Sequence, residues 1–322
     1  MQYNPSELVS GVLEGRRLAL ARTITLFESQ HPDHQALAEE VMAGILPHSG
    51  RALRLGVTGV PGVGKSSFIE TFGLALVERG HRVAVLAVDP SSTLSRGSIL
   101  GDKTRMEKLC QCDEAYIRPS PSGGTLGGVA SRTREAMAAC EAAGYDVVIV
   151  ETVGVGQSET AVKGMVDHFL LLMLAGAGDE IQGIKRGIME LADLVAITKA
   201  DGDNMVAAEK SRQSYENALS LFMRGEVVPV TTTSSLTGHG IPEMADLLFE
   251  RHEEASRSGA LLKRRGEQRV AWFWQQVEEG LLQRFKENPA ISNEMETLLG
   301  DLMDGSAAPS RSARQILKKY TG

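Results

Sequence analysis

The sequence predicts an α/β fold in which a mostly parallel central sheet is flanked by helices. A glycine-rich stretch, residues 59–67, lies between a short apolar run and a segment with apolar residues at helical spacing. Several near-continuous apolar runs end in acidic or small polar residues, as strands buried on both faces of a parallel sheet do. The length of 322 residues and the hydrophobic content of 42% suit one large α/β domain with helical additions.

The glycine-rich stretch has the pattern G-x-x-x-x-G-K-[ST] of a phosphate-binding loop. Its residues are Gly59, Val60, Pro61, Gly62, Val63, Gly64, Lys65, Ser66 and Ser67. Glycines allow successive backbone N–H groups to point into one concavity, which fits the β-phosphate of a nucleotide. Lys65 adds a catalytic positive charge against the β- and γ-phosphates, and the Ser66 hydroxyl is placed to bind Mg²⁺. The alternative is an ordinary glycine-rich turn, but the flanking strand and helix favour a nucleotide site.

Acidic residues follow two of the predicted strands. Asp89 comes after the apolar run 82–88, and Glu151 comes after the run 146–150. Because parallel strands end at one edge of a sheet, both carboxylates are expected beside the phosphate loop, where they can order Mg²⁺ or the attacking water. The alternative for Asp89 is a helix cap or a turn. Asp102, in a polar loop, either caps the next helix or faces the metal.

The segment after Glu151 predicts a switch that senses the γ-phosphate. Gly154 lies three residues beyond the acid, and its N–H can bond a γ-phosphate and lose that bond on hydrolysis. We therefore predict two overlapping sets of functional residues. The catalytic set is Lys65, Asp89, Glu151 and Gly154, and the metal-binding set is Ser66, Asp89, Asp102 and Glu151.

Two further motifs predict that the base is guanine. The T-K-x-D motif is formed by Thr198, Lys199, Ala200 and Asp201. The Asp201 carboxylate can accept hydrogen bonds from N1–H and the N2 amino group of guanine, which adenine does not offer in that arrangement. After the last predicted strand, residues 227–231, come Ser234, Ser235 and Leu236, whose backbone N–H groups can reach guanine O6. The alternative for this second motif is a polar turn.

Composition bounds the partners and the compartment. A net charge of −7 argues against a nucleic-acid-binding surface. The sequence contains no run of 18 apolar residues, so no membrane span is predicted. The N-terminus lacks the apolar stretch of a secretory signal, and three cysteines fit a reduced setting. The sequence therefore predicts a cytoplasmic protein that binds neither nucleic acid nor membrane.

The chain divides into three predicted parts. Residues 1–50 form a helical extension with two helices, the first capped by Asn4 and the second spanning about 34–46. Residues 51–254 form the nucleotide domain, and residues 255–322 form a C-terminal helical arm. The helix predicted over 261–285 is apolar around much of its circumference, so it needs partners on more than one side. Either it packs onto the nucleotide domain or it forms a homodimer arm.

The order of the motifs GVPGVGKSS, DPSS, ETVG, TKAD and SSL matches that of a GTPase. The runs VDPSST, GSILGDKTRM, YDVVIVETVGVGQSE and GDEIQGIKRGIMELAD resemble the MeaB/ArgK family, whose members are GTPase chaperones of adenosylcobalamin-dependent acyl-CoA mutases. The resemblance covers nearly the whole chain, including the helical N-terminus and the C-terminal arm.

This resemblance implies a phosphate-loop GTPase fold of the SIMIBI class, named after signal-recognition, MinD and BioD proteins. It implies Mg²⁺ with GTP or GDP as ligand, and slow hydrolysis that the mutase stimulates. The implied role is to gate cobalamin loading and to protect or reactivate a mutase of the methylmalonyl-CoA type. The implied partners are a second copy of the chain, the mutase, and a cobalamin adenosyltransferase. The loop 176–187 would be an additional switch facing the mutase, with Asp179 and Lys185 as its charged members, and the C-terminal arm would be the dimerisation element.

The sequence departs from common GTPase motifs at two positions. Thr198 replaces an asparagine whose amide normally tethers the phosphate loop, so the rigidity of the base site is in question; Ser235 replaces a common alanine. One alternative function is an ATP-dependent kinase or ATPase linked to arginine and ornithine transport, for which no residues argue. Another is a metallochaperone GTPase for a nickel enzyme, but the chain has no His-rich tract and no C-x-x-C.

Overall fold

Seven parallel strands form a single sheet in the computed structural model of the chain. In chain order they are β1 (Leu53–Gly59), β2 (Val83–Val88), β3 (Ala115–Arg118), β4 (Val147–Thr152), β5 (His168–Leu174), β6 (Leu194–Thr198) and β7 (Val230–Thr232). Across the sheet the order is β3-β2-β4-β1-β5-β6-β7, and every neighbouring pair is parallel. The structure describes residues 4–29, 31–88, 106–119, 126–152, 158–176, 186–222 and 227–321.

Helices precede, separate and follow these strands. They are α1 (Pro5–Leu13), α2 (Arg17–Glu28), α3 (Pro32–Ile45), α4 (Lys65–Glu78), α5 (Glu107–Cys110), α6 (Leu126–Ala142), α7 (Ser158–Lys163), α8 (Arg186–Met189), α9 (Met205–Phe222), α10 (Ile241–Arg257), α11 (Ala260–Glu287), α12 (Pro289–Met303) and α13 (Pro309–Thr321). Within the described ranges, short 3₁₀ turns lie at Leu46–His48 and Gly202–Asn204. The chain divides into two compact units, residues 1–265 and 266–322.

Strand β1 lies at the centre of the sheet, between β4 and β5. Val57 of β1 is paired with Glu151 of β4 on one side and with Leu170 of β5 on the other. Because all strands run in the same direction, their carboxyl ends share one edge, which is where ligands bind in open parallel sheets. This topology brings the ends of β1, β4 and β6 to the same edge of the molecule.

The sheet is buried on both faces, which accounts for the continuous apolar runs of its strands. Val148 and Val150 of β4 join a core layer with α1, α2, α3 and α6, whereas Val147 and Ile149 join the layer with α4 and α10. Each fully buried side chain of this size contributes about 1.5–3 kcal/mol of hydrophobic stabilisation. The sheet is therefore a rigid platform for the loops at its edge.

The helical N-terminus contains three helices rather than the two that the sequence predicts. Asn4 caps α1 as predicted, since its Oδ1 accepts a hydrogen bond from the Ser6 N–H at 3.2 Å. The predicted continuous first helix is wrong because the chain turns at Gly15, whose φ is +71°, before α2 begins. Leu18, near the start of α2, is 64% exposed.

The second unit, residues 266–322, has a small core of its own. Ile291, Leu298 and Ile316 are buried, and Phe285 packs its ring edge-on against Tyr320 at 5.2 Å between centroids. The exposed apolar side chains of the two helices α11 and α12 include Val270, Phe273, Trp274, Leu281, Leu282, Leu299 and Met303. In the part of the chain that the structure describes, none of the helices combines the length and apolar character needed to cross a membrane.

Candidate nucleotide-binding site

The phosphate loop leaves β1 and enters α4 with the backbone that its glycines permit. Gly59 has φ +156°, and a Cβ there would lie 2.6 Å from the carbonyl oxygen of Leu172 in β5, so no side chain fits. Gly64 caps α4 in the left-handed region with φ +95°. The predicted strand–loop–helix arrangement is therefore present, and the N-terminus of α4, with its positive dipole end, opens into the loop.

Lys65 folds back over the loop that carries it. Its Nζ donates a hydrogen bond to the carbonyl oxygen of Gly59 at 2.7 Å. Burial lowers the pKa of the Lys65 ammonium below its usual range, while the nearby carboxylates of Glu151 and Glu159 act in the opposite direction. The lysine thus lies in a partly dehydrated position where its interaction with an anion is strengthened.

Two of the predicted metal ligands lie together. Glu151, at the end of β4, is 5% exposed, and the Ser66 hydroxyl donates to its Oε1 at 3.4 Å. A hydroxyl and a carboxylate are the hard oxygen donors that Mg²⁺ prefers, so the donor chemistry of this pair fits that ion. Among the described residues, no group of three or more His, Cys, Asp or Glu side chains is arranged around a metal position.

Several predicted residues lie outside the described ranges. They are Asp89, Asp102, Gly154, Asp179 and Lys185, and their predicted roles stay predictions.

On the base side of the site, Ser234 connects the two predicted guanine motifs. The completely buried Ser234 hydroxyl donates a hydrogen bond to Oδ2 of Asp201. The same hydroxyl oxygen accepts hydrogen bonds from the N–H groups of Leu236 and Thr237, each at 3.2 Å. Asp201 is therefore oriented by the loop that follows β7.

Lys199 adopts a backbone conformation that is uncommon for a residue with a side chain. Its φ of 57° is the only positive value for a non-glycine residue in the described ranges. The Asn204 side chain donates a hydrogen bond to the Lys199 carbonyl at 2.7 Å, and Ala200 is buried. Positive φ in a residue such as lysine costs free energy and is found mainly where function requires it.

Thr198 tethers the phosphate loop even though it lacks the amide of asparagine. Its side chain is nearly inaccessible, and its hydroxyl contacts the carbonyl oxygens of Val63 at 2.8 Å and Met173 at 3.2 Å. The shorter side chain reaches the loop because the carbonyl oxygen of Val63 points towards its hydroxyl. The tether between the base motif and the phosphate loop is thus present.

Two contacts of the site were not predicted from the sequence. Glu159, in the first turn of α7, is 1% exposed and acts electrostatically on Lys65. Thr71 of α4 lies with its hydroxyl 3.2 Å from the Ser235 carbonyl and joins α4 to the loop after β7. In the sequence, neither residue differs from an ordinary helix residue. Acidic residues are common in the first turn of a helix, and hydroxyl residues are common on its exposed face.

These features define a class of protein. A phosphate loop between β1 and α4, an acid at the end of β4 and a T-K-x-D motif after β6 lie on one edge of a parallel sheet. That combination is typical of a phosphate-loop nucleotide hydrolase, and the predicted fold of the SIMIBI class is confirmed.

Comparisons with known proteins specify the family. The family model of the methylmalonyl-CoA mutase-associated GTPase MeaB matches residues 20–290. GTPase ArgK of Escherichia coli is 47% identical over 314 residues, which cover 97% of this chain and 95% of that protein. The mitochondrial methylmalonic aciduria type A homolog of Mus musculus is 46% identical, covering 97% of this chain and 79% of its own. A crystal structure of a LAO/AO transport system kinase has a TM-score of 0.79 and 40% identity over the full length of both chains.

The chain belongs to the MeaB family of GTPases, and it is a GTP hydrolase. The resemblance drawn from the sequence is confirmed.

Proposed function

We propose that this GTPase gates cobalamin loading into an adenosylcobalamin-dependent acyl-CoA mutase of the methylmalonyl-CoA type, and protects or reactivates that enzyme. The observation that carries the proposal is the match of residues 20–290 to a family described as mutase-associated. The name of the mouse relative, a methylmalonic aciduria type A homolog, supports the same partner class. A cobalamin adenosyltransferase is a further proposed partner, because cofactor loading needs a supplier.

The proposed nucleotide site uses the residues that the geometry brings together. The loop 59–67 holds the phosphates of GTP or GDP, and Asp201, oriented by Ser234, reads the guanine edge. The Lys199 stem lies along the base, and backbone N–H groups of Ser235 and Leu236 bond guanine O6. Thr198 contributes to nucleotide binding by holding the phosphate loop and not by contacting the base, since its hydroxyl contacts the Val63 carbonyl.

Ser66 and Glu151 would hold Mg²⁺, with Asp89 and Asp102 as further proposed ligands. When bound, Mg²⁺ neutralises charge on the β- and γ-phosphates. The chain's own contribution to hydrolysis is positional. The Lys65 ammonium stabilises negative charge that develops on the transferred phosphoryl group, and the buried position of Lys65 strengthens that effect.

The proposed signalling to the mutase runs through two loops. The Gly154 N–H would lose its hydrogen bond to the γ-phosphate on hydrolysis. Asp179 and Lys185 would transmit that change to the mutase surface. These assignments rest on the sequence pattern and on the family resemblance.

We propose the same domain roles as the sequence predicts: residues 1–50 as a helical extension, 51–254 as the GTPase domain and 255–322 as a dimerisation arm. The exposed apolar side chains of α11 and α12, among them Phe273 and Trp274, support the arm because aromatic residues are enriched at interfaces. A cytoplasmic location is proposed because the chain has only three cysteines, a small and odd number that fits a reduced setting.

The experiment that tests the proposal is steady-state hydrolysis of GTP and of ATP, each alone and with a purified adenosylcobalamin-dependent acyl-CoA mutase. We expect slow GTP turnover that rises severalfold with the mutase and little ATP turnover. The Lys65→Ala variant, expected to lose roughly two to three orders of magnitude in turnover, controls for contaminating nucleotidases.

Two results would contradict the proposal. ATP turnover that is indifferent to the mutase would favour a kinase or transport ATPase. GTP turnover that no acyl-CoA mutase changes would leave the GTPase assignment intact and remove the chaperone role.

A further inference from the structure

Thr58 of β1 and Thr152 of β4 form a hydroxyl pair beneath the nucleotide site. Thr152 Oγ1 donates a hydrogen bond to Thr58 Oγ1 at 2.8 Å, and both residues are completely buried. The backbone ladder between these strands ends at the pair Val57 and Glu151. The hydroxyl pair is therefore the next contact across the two strands, at the point where β1 enters the phosphate loop and β4 ends.

The position of this pair links it to both halves of the phosphate site. Thr58 directly precedes Gly59, whose carbonyl oxygen accepts a hydrogen bond from the Lys65 ammonium. Thr152 directly follows Glu151. The Ser66 hydroxyl, in the first turn of α4, contacts Glu151 of β4 at 3.4 Å. The separation of the two hydroxyls thus helps to set the separation of the loop from the carboxylate.

The chemistry of the pair makes that separation short. Two apolar groups in contact lie about 3.5–4.0 Å apart, so methyl groups at these positions would lie further apart than the two hydroxyl oxygens, which are 2.8 Å apart. A buried hydroxyl that loses its partner costs about 1–3 kcal/mol, whereas replacing both hydroxyls by apolar groups of the same shape is nearly neutral for stability. Replacing both hydroxyls can therefore change the spacing of the pair while leaving the stability of the fold nearly unchanged.

We propose that Thr58 and Thr152 are positioning residues that set the distance between the phosphate loop and Glu151, and thereby the affinity of the nucleotide complex for its divalent cation. This inference rests on the proposed role of Glu151 as a metal-binding acid.

The test is a double-mutant cycle with Thr58→Val, Thr152→Val and the double variant. The melting temperature is measured first, followed by the affinity of the GDP complex for Mn²⁺ by electron paramagnetic resonance. We expect each single variant to lose stability and the double variant to recover most of it. The Mn²⁺ affinity of the double variant is expected to stay severalfold weaker than wild type, whereas its metal-free GDP affinity is unchanged.

Three outcomes decide between the possibilities. If Mn²⁺ affinity in the double variant recovers together with the melting temperature, the pair is only structural and the proposal is overturned. Thr152→Ser, which keeps the hydroxyl, should retain wild-type Mn²⁺ affinity, and a loss there also overturns it. Unchanged Mn²⁺ affinity in Glu151→Gln would instead remove the proposed role of Glu151, which distinguishes the failure of that assignment from the failure of the pair.

Discussion

Thr198 joins the T-K-x-D motif to the phosphate loop through one hydroxyl. Because its contact with Val63 lies in the interior, where hydrogen bonds are electrostatically stronger than in water, loss of the contact affects the loop directly. A valine at this position has the same shape but cannot donate, so the Val63 carbonyl would lose a partner.

We therefore expect Thr198→Val to accelerate GDP release by roughly tenfold, which corresponds to about 1.4 kcal/mol. Stopped-flow fluorescence of a labelled GDP measures this rate. Thr198→Asn, which offers an amide donor to the same carbonyl, is the matched control and should release GDP more slowly than the valine variant. An unchanged rate in Thr198→Val would show that the tether does not hold the nucleotide.

Asp201 is the residue that we propose to select the base. We expect Asp201→Asn to weaken GTP binding by roughly tenfold to a hundredfold, because the neutral amide cannot accept both donors of the guanine edge. Xanthosine triphosphate, which presents a carbonyl where guanine presents an amino group, should gain affinity from the amide donor. Competition binding with the two nucleotides measures the ratio.

The control for this prediction is Asp203→Asn, which removes the same charge at an exposed position two residues further on. It should leave the preference for guanine unchanged. A guanine preference that survives Asp201→Asn would contradict the assignment of the base-reading residue.

At the scale of elements, the sequence predicts those that are long and strongly patterned. The strands β2 and β4 and the helix α4 are found where the apolar runs and periodicity place them. The strand β3, Ala115–Arg118, was not predicted because four residues are too few to show an alternation of apolar and polar side chains. The last strand, predicted over 227–231, is found only at Val230–Thr232, since edge strands have fewer partners to extend them.

The site was predictable where a motif is local and not where a contact joins distant segments. The loop 59–67 and the motif 198–201 follow from spacing alone. By contrast, the contact of Thr198 with Val63 crosses 135 positions, and that of Thr152 with Thr58 crosses 94. Such pairs depend on strand order, which no local pattern in the sequence specifies.

The beginning of β5 packs a histidine against the end of α10. His168 is buried, and desolvation lowers its pKa to about 4. Asp167 and Asp193 oppose this change, whereas the positive charges of His252 and Arg264 reinforce it. The two histidine rings meet edge-on with centroids 5.6 Å apart, and desolvation also lowers the pKa of His252.

We expect the free energy of unfolding to fall as the pH drops from about 6.5 to about 4. The unfolded chain takes up a proton on His168 near its ordinary pKa of 6.5, but the folded protein does so only near 4. His168 therefore makes its full contribution to the free energy of unfolding above pH 6.5, and roughly 3 kcal/mol of that free energy is lost by pH 4. Urea unfolding across this range measures the slope.

His168→Gln, which does not titrate, should flatten that slope, and His48→Gln at an exposed position should leave it unchanged. An equal slope in wild type and in His168→Gln would rule out this histidine as its source.

At the scale of the molecule, a second polar centre lies at the amino ends of β1 and β5, opposite the nucleotide edge. Asp167 has no exposed side-chain surface and accepts hydrogen bonds from Arg265 Nε at 2.8 Å and from the Arg54 N–H at 2.9 Å. The Arg265 guanidinium also donates to the carbonyls of Gly50 and Ala52, each at 2.6 Å. This centre fastens the first turns of α11 beneath the sheet.

We expect Arg265→Met to lower the free energy of unfolding of the nucleotide unit by about 3–5 kcal/mol, because it leaves the Asp167 carboxylate buried without its counter-charge. Calorimetry or urea unfolding measures the loss. Arg269→Met, at an exposed position one turn further along α11, should change stability by less than about 0.5 kcal/mol. If both variants unfold alike, the buried ion pair does not hold this end of the sheet.

The central place of β1 has a consequence for how the protein is made. Leu53 pairs with Val147 on one side, and Leu55 pairs with His168 on the other, so neither neighbour of β1 exists when its own segment leaves the ribosome. Contacts over such sequence separations form late because the chain between them must first be closed into a loop. The phosphate loop is encoded in roughly the first fifth of the chain, yet it gains both supporting strands only after about half has been synthesised. During translation, a newly made chain therefore becomes able to hold a nucleotide only when β5 has joined the sheet.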